Sequence, residues 1–249
     1  MDLGGGAREE SGTRASREAA LFGPFAAGRP DAPFVVGQLG QSLDGRIATP
    51  TGDSKYINGS AALDHLHAIR ARVDAVLVGV GTALADDPLL TVRRVPGQSP
   101  ARVVLDPNGR LPPRAQVWRD DGTRRIALRR AGVGAPLPAG VERLDLPGEG
   151  AVAPTTIVAA LGRLGFARIL VEGGANTVSR FLEAGCLDRL HVLVAPLLIG
   201  SGQIGLSLAP IDRLGEALRP RARAYLLEDG DVLFDCDLRR HGAEGGEHG

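Results

Sequence analysis

"RILVEGGANTVSRFLEAGCLDRLHVLVA", residues 168–195, decides the fold. Two aliphatic runs, RILV (168–171) and LHVLVA (190–195), flank a helical pattern over 175–185, and Gly173-Gly174 make the turn into that helix. Neither run alternates with polar residues as a half-solvated strand would. Continuous apolar strands separated by helices specify a mostly parallel sheet covered on both faces. Gly185 closes the helix as a natural left-handed cap.

The same pattern extends outward in both directions. FVVGQL (34–39), AVLVGV (75–80), RVVLD (102–106) and RIAL (125–128) read as further strands. Between them AALDHLHAIRA (61–71) reads as a helix capped by Ser60, with Asp64 in its positive first turns. Its apolar stripe is Leu63, Leu66, Ile69 and Val73, which leaves Arg70 off the stripe. Pro154 stands near the start of a helix over 154–165. After residue 200 the pattern changes. Residues 224–238 are two apolar runs around Glu228-Asp229-Gly230-Asp231, the turn chemistry of an antiparallel hairpin.

Composition bounds the partners. In 249 residues 43% are hydrophobic but 4% aromatic, enough for a sizeable core built from Ala, Val, Leu and Ile. Lys+Arg and Asp+Glu balance at 29 each, so nothing in the net charge favours nucleic acid or an anionic membrane. Cys186 and Cys236 are too few for a disulfide framework, and a reduced cytoplasmic location is expected. Residues 1–30 and 239–249 are rich in Gly, Arg and Glu and are expected to be disordered, leaving a domain over 31–238.

Four groups of residues carry candidate chemistry. Glu172-Gly173-Gly174 leads into Ala175, Asn176 and Thr177, and free amides at a helix start approached through glycine make an anion cradle. Gly79-x-Gly81 lacks the third glycine of a dinucleotide fingerprint. Asp86-Asp87-Pro88 marks a loop, since proline stops the helix before it. Ser54, Arg70 and Arg93 supply the hydroxyl and guanidinium forks that a phosphate monoester needs, if the fold brings them together. His65 and His67 are two apart on a helix and point to different faces, so no metal site is expected.

Taken in order, "SLDGRIA", "GDSKYING", "IRARVDAVLVGVGTALADDPLLTVR", "ARVVLDPNGRLPP" and "ILVEGGANTVSRFLEAGCLDRLHVLVAPLLIG" with the closing hairpin resemble the pyrimidine reductases of riboflavin biosynthesis. The resemblance covers roughly residues 33–238 and implies a dihydrofolate-reductase-like three-layer α/β sandwich with a C-terminal antiparallel hairpin. It implies NADPH-dependent reduction of a ribosylaminopyrimidine 5′-phosphate to its ribitylamino product. Carried over by position, Gly40, Tyr56, Thr82, Asp86, Gly174, Ala175, Asn176 and Thr177 would hold NADPH. Ser54, Arg70, Leu90, Arg93 and Glu172 would hold the substrate, and Asp86, beside the reacting carbon, would be catalytic.

Departures from the family pattern are informative. Many bacterial members carry a lysine where this chain has Gln38, and Gln cannot act as a cationic acid. Tyr56 replaces a tryptophan of some members and keeps an aromatic face. A homodimer is expected from the relatives, and deamination is expected of a separate protein. Two alternatives remain: a dihydrofolate- or pteridine-type reductase on the same fold, and a non-catalytic NADPH-binding paralogue.

Overall fold

A computed structural model describes residues 14–148 and 151–239. In chain order the first elements are α1 (Arg14–Phe22), β1 (Phe34–Ser42), β2 (Arg46–Ala48), α2 (Ser60–Arg70), β3 (Ala75–Gly79) and α3 (Val80–Asp86). Next come β4 (Ala101–Leu105), β5 (Arg125–Arg130), β6 (Val141–Leu146) and α4 (Pro154–Arg163). The last described elements are β7 (Arg168–Glu172), α5 (Ala175–Glu183), β8 (Arg189–Ala195), β9 (Gln203–Ile204), β10 (Arg221–Leu226) and β11 (Val232–Asp237).

A nine-stranded sheet runs in the order β10-β11-β8-β1-β7-β3-β4-β5-β6. All strands from β8 to β6 in that order pair in parallel, whereas β11 lies antiparallel to β8 and β10 antiparallel to β11. The expected α/β sheet and the late hairpin are both present. Alternate residues of the central strands face opposite sides, and both sides are dry there. Val35, Leu77, Val103, Ile126 and Ile169 pack with Ile157 of α4 and Phe181 of α5. Their neighbours Val36, Val76, Val104, Ala127 and Leu170 pack on the other face with Ile69 of α2 and Val80 of α3. Two covered faces explain why the strands read as unbroken apolar runs. Each fully buried Ile or Phe contributes about 1.5–3 kcal/mol of transfer free energy.

One feature of the order positions the site. The chain goes from β1 through α2 to β3, yet β7 fills the slot between those two strands. From β7, α5 carries the chain to β8 on the far side of β1. The carboxyl ends of β1, β7 and β3 therefore border a crevice at a topological switch point, where open α/β sheets take their ligands.

The expected disorder over 1–30 does not hold for residues 14–30. There α1 and a 3-10 turn (Gly23–Ala27) pack down, with Leu21 and Phe25 buried. Distant groups hold this segment: Arg189 Nη1 donates to Ala20 O (3.1 Å), and the Arg72 guanidinium lies 4.3 Å from the Phe22 ring centre. Residues 1–13 and 240–249 of the expected disordered ends lie outside the described residues. Edge strand β6, with its solvent-facing charges, and the short β2–β9 ribbon were not anticipated either.

The cap of α2 is a further correction. Gly59, not Ser60, is its N-cap, and no side chain of its own caps it. Asp229 in the hairpin turn accepts from Ala61 N (2.8 Å), and Asp231 accepts from Gly59 N (2.9 Å). The C-terminal hairpin thus supplies the anions that the helix start favours.

Candidate functional site

A cleft of about 970 Å³ opens at the carboxyl ends of β1, β3, β4 and β7. Gln38 and Gly40 of β1 form part of its floor, with Gly79–Thr82 and Asp86 on one side and Gly173–Thr177 on the other. The two loops touch because glycine permits it. A Cβ on Gly79 would lie 2.5 Å from Thr177 Oγ1, and one on Gly174 only 2.4 Å from Thr82 Oγ1. Gly173 and Gly174 also have positive φ, +62° and +70°, a region open to glycine at little cost. Gly174 is the N-cap of α5 and offers no side chain to the first turn. Amides at a helix start lack intrahelical acceptors, and here they belong to Ala175 and Asn176; Thr177 N already donates to Gly174 O (3.0 Å).

The wall opposite is α2. Leu63, expected in the core, is exposed in the cleft instead; Leu66 and Ala62 line the cleft while packing against core residues, and His65 and Ile69 are buried. His65 Nε2 and His191 Nδ1 are 3.0 Å apart beneath the helix, and burial followed by the charge of His191 lowers the His65 pKa far below its usual value. The helix ends at Arg70, which is buried rather than solvent-facing. Its Nε donates to Glu172 Oε2 (2.8 Å), Nη2 to Oε1 (2.5 Å) and Nη1 to Thr91 O (3.0 Å). His67 Nδ1 accepts from Arg93 N (3.0 Å), so the strap over 90–93 is tied to α2 twice. Burial, then Arg70, Arg93 and Arg94, pushes the His67 pKa down to about 4.

The paired carboxylates split their duties. Asp87, in a left-handed conformation, accepts from Gln116 N (2.7 Å) and holds the loop. Asp86 faces the cleft, and its pKa is raised by desolvation and then by the Glu172 charge, against a smaller opposing effect of Lys55. The "SLDG" turn is structural. Asp44 accepts from Ser42 Oγ (2.6 Å), Ile199 N (3.1 Å) and Gly200 N (2.6 Å), which braces the β8–β9 connection over the cleft mouth. The Ser42 hydroxyl and these amides hold the Asp44 pKa at about 2.

The model of the RibD C-terminal domain matches residues 33–219. This chain belongs to that family. It is 36% identical over 220 residues to the 2,5-diamino-6-ribosylamino-4(3H)-pyrimidinone 5′-phosphate reductase of Methanothermobacter thermautotrophicus, covering 83% of this chain and 99% of that one. The riboflavin biosynthesis protein RibD of Aquifex aeolicus is 34% identical over 208 residues, 81% of this chain and 57% of its own length. A Thermotoga maritima deaminase/5-amino-6-(5-phosphoribosylamino)uracil reductase superposes with a TM-score of 0.68 at 28% identity, over 82% of this chain and 56% of that one. The chain spans little more than half the length of these last two proteins.

Of the residues that the RibD resemblance singles out, Gly40, Ser54, Thr82, Asp86, Gly174, Ala175, Asn176 and Thr177 all line the one cleft. Tyr56 does not; it is 88% exposed. Arg70 and Glu172 lie just behind the wall and satisfy each other, and Leu90 is buried in the core with φ +55°. Arg93 is exposed on the strap, with Nη1 3.5 Å from Thr91 Oγ1. Ser54, Arg70 and Arg93 therefore do not meet as three free groups. Asn58 and Arg110 also line the cleft and had no part in the sequence reading, which took Leu63 and Leu66 only for the core stripe of α2. A cation just past a strand end, as Arg110 is past β4, was the one available signal.

Proposed function

We propose that this chain is an NADPH-dependent reductase that converts the ribosylamino group of a 5′-phosphorylated aminopyrimidine to a ribitylamino group. The substrate is 5-amino-6-(5-phosphoribosylamino)uracil or its 2,5-diamino analogue. The observation that carries this reading is the single cleft shared by the glycine cradle and Asp86. The residues fit a nicotinamide dinucleotide: the Gly173-Gly174 turn lets the Thr82 loop close against the start of α5, and that helix start offers the amides of Ala175 and Asn176, which line the cleft, to a pyrophosphate. Arg110, exposed past the end of β4, is the cation available to a 2′-phosphate.

Bound there, reduced nicotinamide supplies a hydride to C1′ of the ring-opened imine. Asp86 holds the matching proton. Its raised pKa keeps the carboxyl protonated to higher pH than an ordinary aspartate, and donation to the imine nitrogen completes the amine. Gln38, 6% exposed in the cleft floor, offers an uncharged donor and acceptor and no acidic proton to give. Leu63 and Leu66 exclude water from one side. On the family resemblance we assign the phosphate to Ser54 in the cleft and to Arg93, exposed on the strap outside the cleft lining; Arg70, engaged by Glu172 and Thr91, holds that strap. Leu198, Leu214 and Leu226 are exposed large apolar side chains, and we assign them to a homodimer interface.

The test is NADPH oxidation with phosphorylated pyrimidine, its dephosphorylated form and dihydrofolate. Only the phosphorylated pyrimidine is expected to turn over well, and Arg93→Ala is expected to raise its KM steeply. An unchanged KM would reject the phosphate assignment, and turnover of dihydrofolate would select the pteridine reading.

A further inference from the structure

We propose that Asn58 orients the nicotinamide: its Oδ1 accepts a hydrogen bond from the carboxamide N–H, and the C-terminal hairpin holds the amide in that orientation through Asp231. The inference rests on the NADPH reading above and concerns residues that reading does not use.

The orientation of the amide follows from its partners. Nδ2 lies 3.1 Å from Asp231 Oδ2 and 3.4 Å from Leu193 O. A carboxylate and a carbonyl can only accept, so the nitrogen faces them and the oxygen faces away. Asp231 is 2% exposed, and its Oδ2 also takes the Gly59 amide (2.9 Å), so the acceptor is itself fixed. Oδ1 then stands over the backbone of β1. A Cβ on Gly40 would lie 2.1 Å from it, so only glycine leaves the oxygen its place. Both Asn58 and Gly40 line the cleft.

Position along the cleft selects the ligand atom. Arg110 follows β4, the α5 amides follow β7, and Gly40 lies on β1 with the Asn58 side chain against it, so these groups are spread in sheet order β4-β3-β7-β1. A dinucleotide with its 2′-phosphate at the first and its pyrophosphate at the second brings its nicotinamide to the third. The carboxamide is the part of that ring that donates N–H, and Oδ1 is a fixed acceptor there.

The experiment measures Kd by calorimetry for NADP⁺ and for its 3-acetylpyridine analogue, which keeps the carbonyl and lacks the N–H. Wild type is expected to prefer NADP⁺ by roughly threefold to tenfold, the size of one neutral hydrogen bond, and Asn58→Ala to bind the two within about twofold of each other. Asp231→Asn, which frees the amide to rotate, is expected to fall between them and replaces Asn58→Ala should that variant not fold. A folded variant that keeps the wild-type preference, or a wild type with none, overturns the assignment. So does a raised KM for the pyrimidine with both Kd values unchanged. Failure of wild type to bind either dinucleotide would instead remove the NADPH reading, and this inference with it.

Discussion

Replacing Glu172 by Gln keeps the shape of the side chain and removes its charge. Side-chain exposure is 6% for Arg70 and 11% for Glu172, so the guanidinium would be left as a buried cation facing neutral atoms. Breaking one side of such a pair costs about 3–5 kcal/mol. For a domain of this size each kcal/mol moves the midpoint by about 2–4 °C, so Tm is expected to fall by roughly 6–20 °C. Thermal unfolding followed by circular dichroism at neutral pH reads this directly. The double variant Arg70→Met/Glu172→Leu should recover much of the loss, because an apolar pair of similar volume needs no compensating charge. A second readout is local to the cleft. Glu172 helps to raise the Asp86 pKa, so Glu172→Gln should move the Asp86 limb of the rate profile to lower pH. A Tm within about 2 °C of wild type would refute the claim that this pair joins α2 to the end of β7.

Other expectations follow from the same geometry. Gly174→Ala places a β-carbon at φ +70° and 2.4 Å from Thr82 Oγ1, so NADPH fluorescence titration should show affinity about tenfold weaker or worse; unchanged affinity would remove the cradle. Asp86→Asn should reduce turnover by about 10²–10⁴ while NADPH still binds. In wild type the rate should fall as pH rises through the raised Asp86 pKa, and a profile without that limb would exclude Asp86 as the donor. His67 binds its proton near pH 6.5 when unfolded and near 4 when folded, so the unfolded state takes up protons first and stability falls as pH drops through that window. Urea unfolding at pH 7 and 4.5 should show this loss, and His67→Gln should reduce it to the part contributed by His65, whose pKa is also lowered.

Much of the fold was legible because its signals are local. The doubly covered strands show as unbroken Val, Leu and Ile runs, and Gly173-Gly174 and Gly185 mark the two ends of α5. What failed depended on distant partners. The composition of residues 14–30 gives no sign that Arg189 and Arg72 hold the segment down. Leu63 has core spacing yet faces the cleft, while the buried side of α2 is held by His191 and Glu172, the latter 102 residues from its partner Arg70. Tyr56 was placed by resemblance alone; it has a positive φ of +66° and an exposed side chain, which local sequence gives no sign of. The role of Asn58 could not be read at all, since Asp231 lies 173 residues away.

The central claim is that one cleft brings a reduced nicotinamide to C1′ of the phosphorylated pyrimidine. NADPH labelled with deuterium at the transferable C4 position, mixed with enzyme and substrate, puts this to the most direct test. The account predicts a ribitylamino product carrying the label at C1′ by mass spectrometry. Cofactor that binds yet leaves the pyrimidine unreduced, or product that forms without the label, would contradict it.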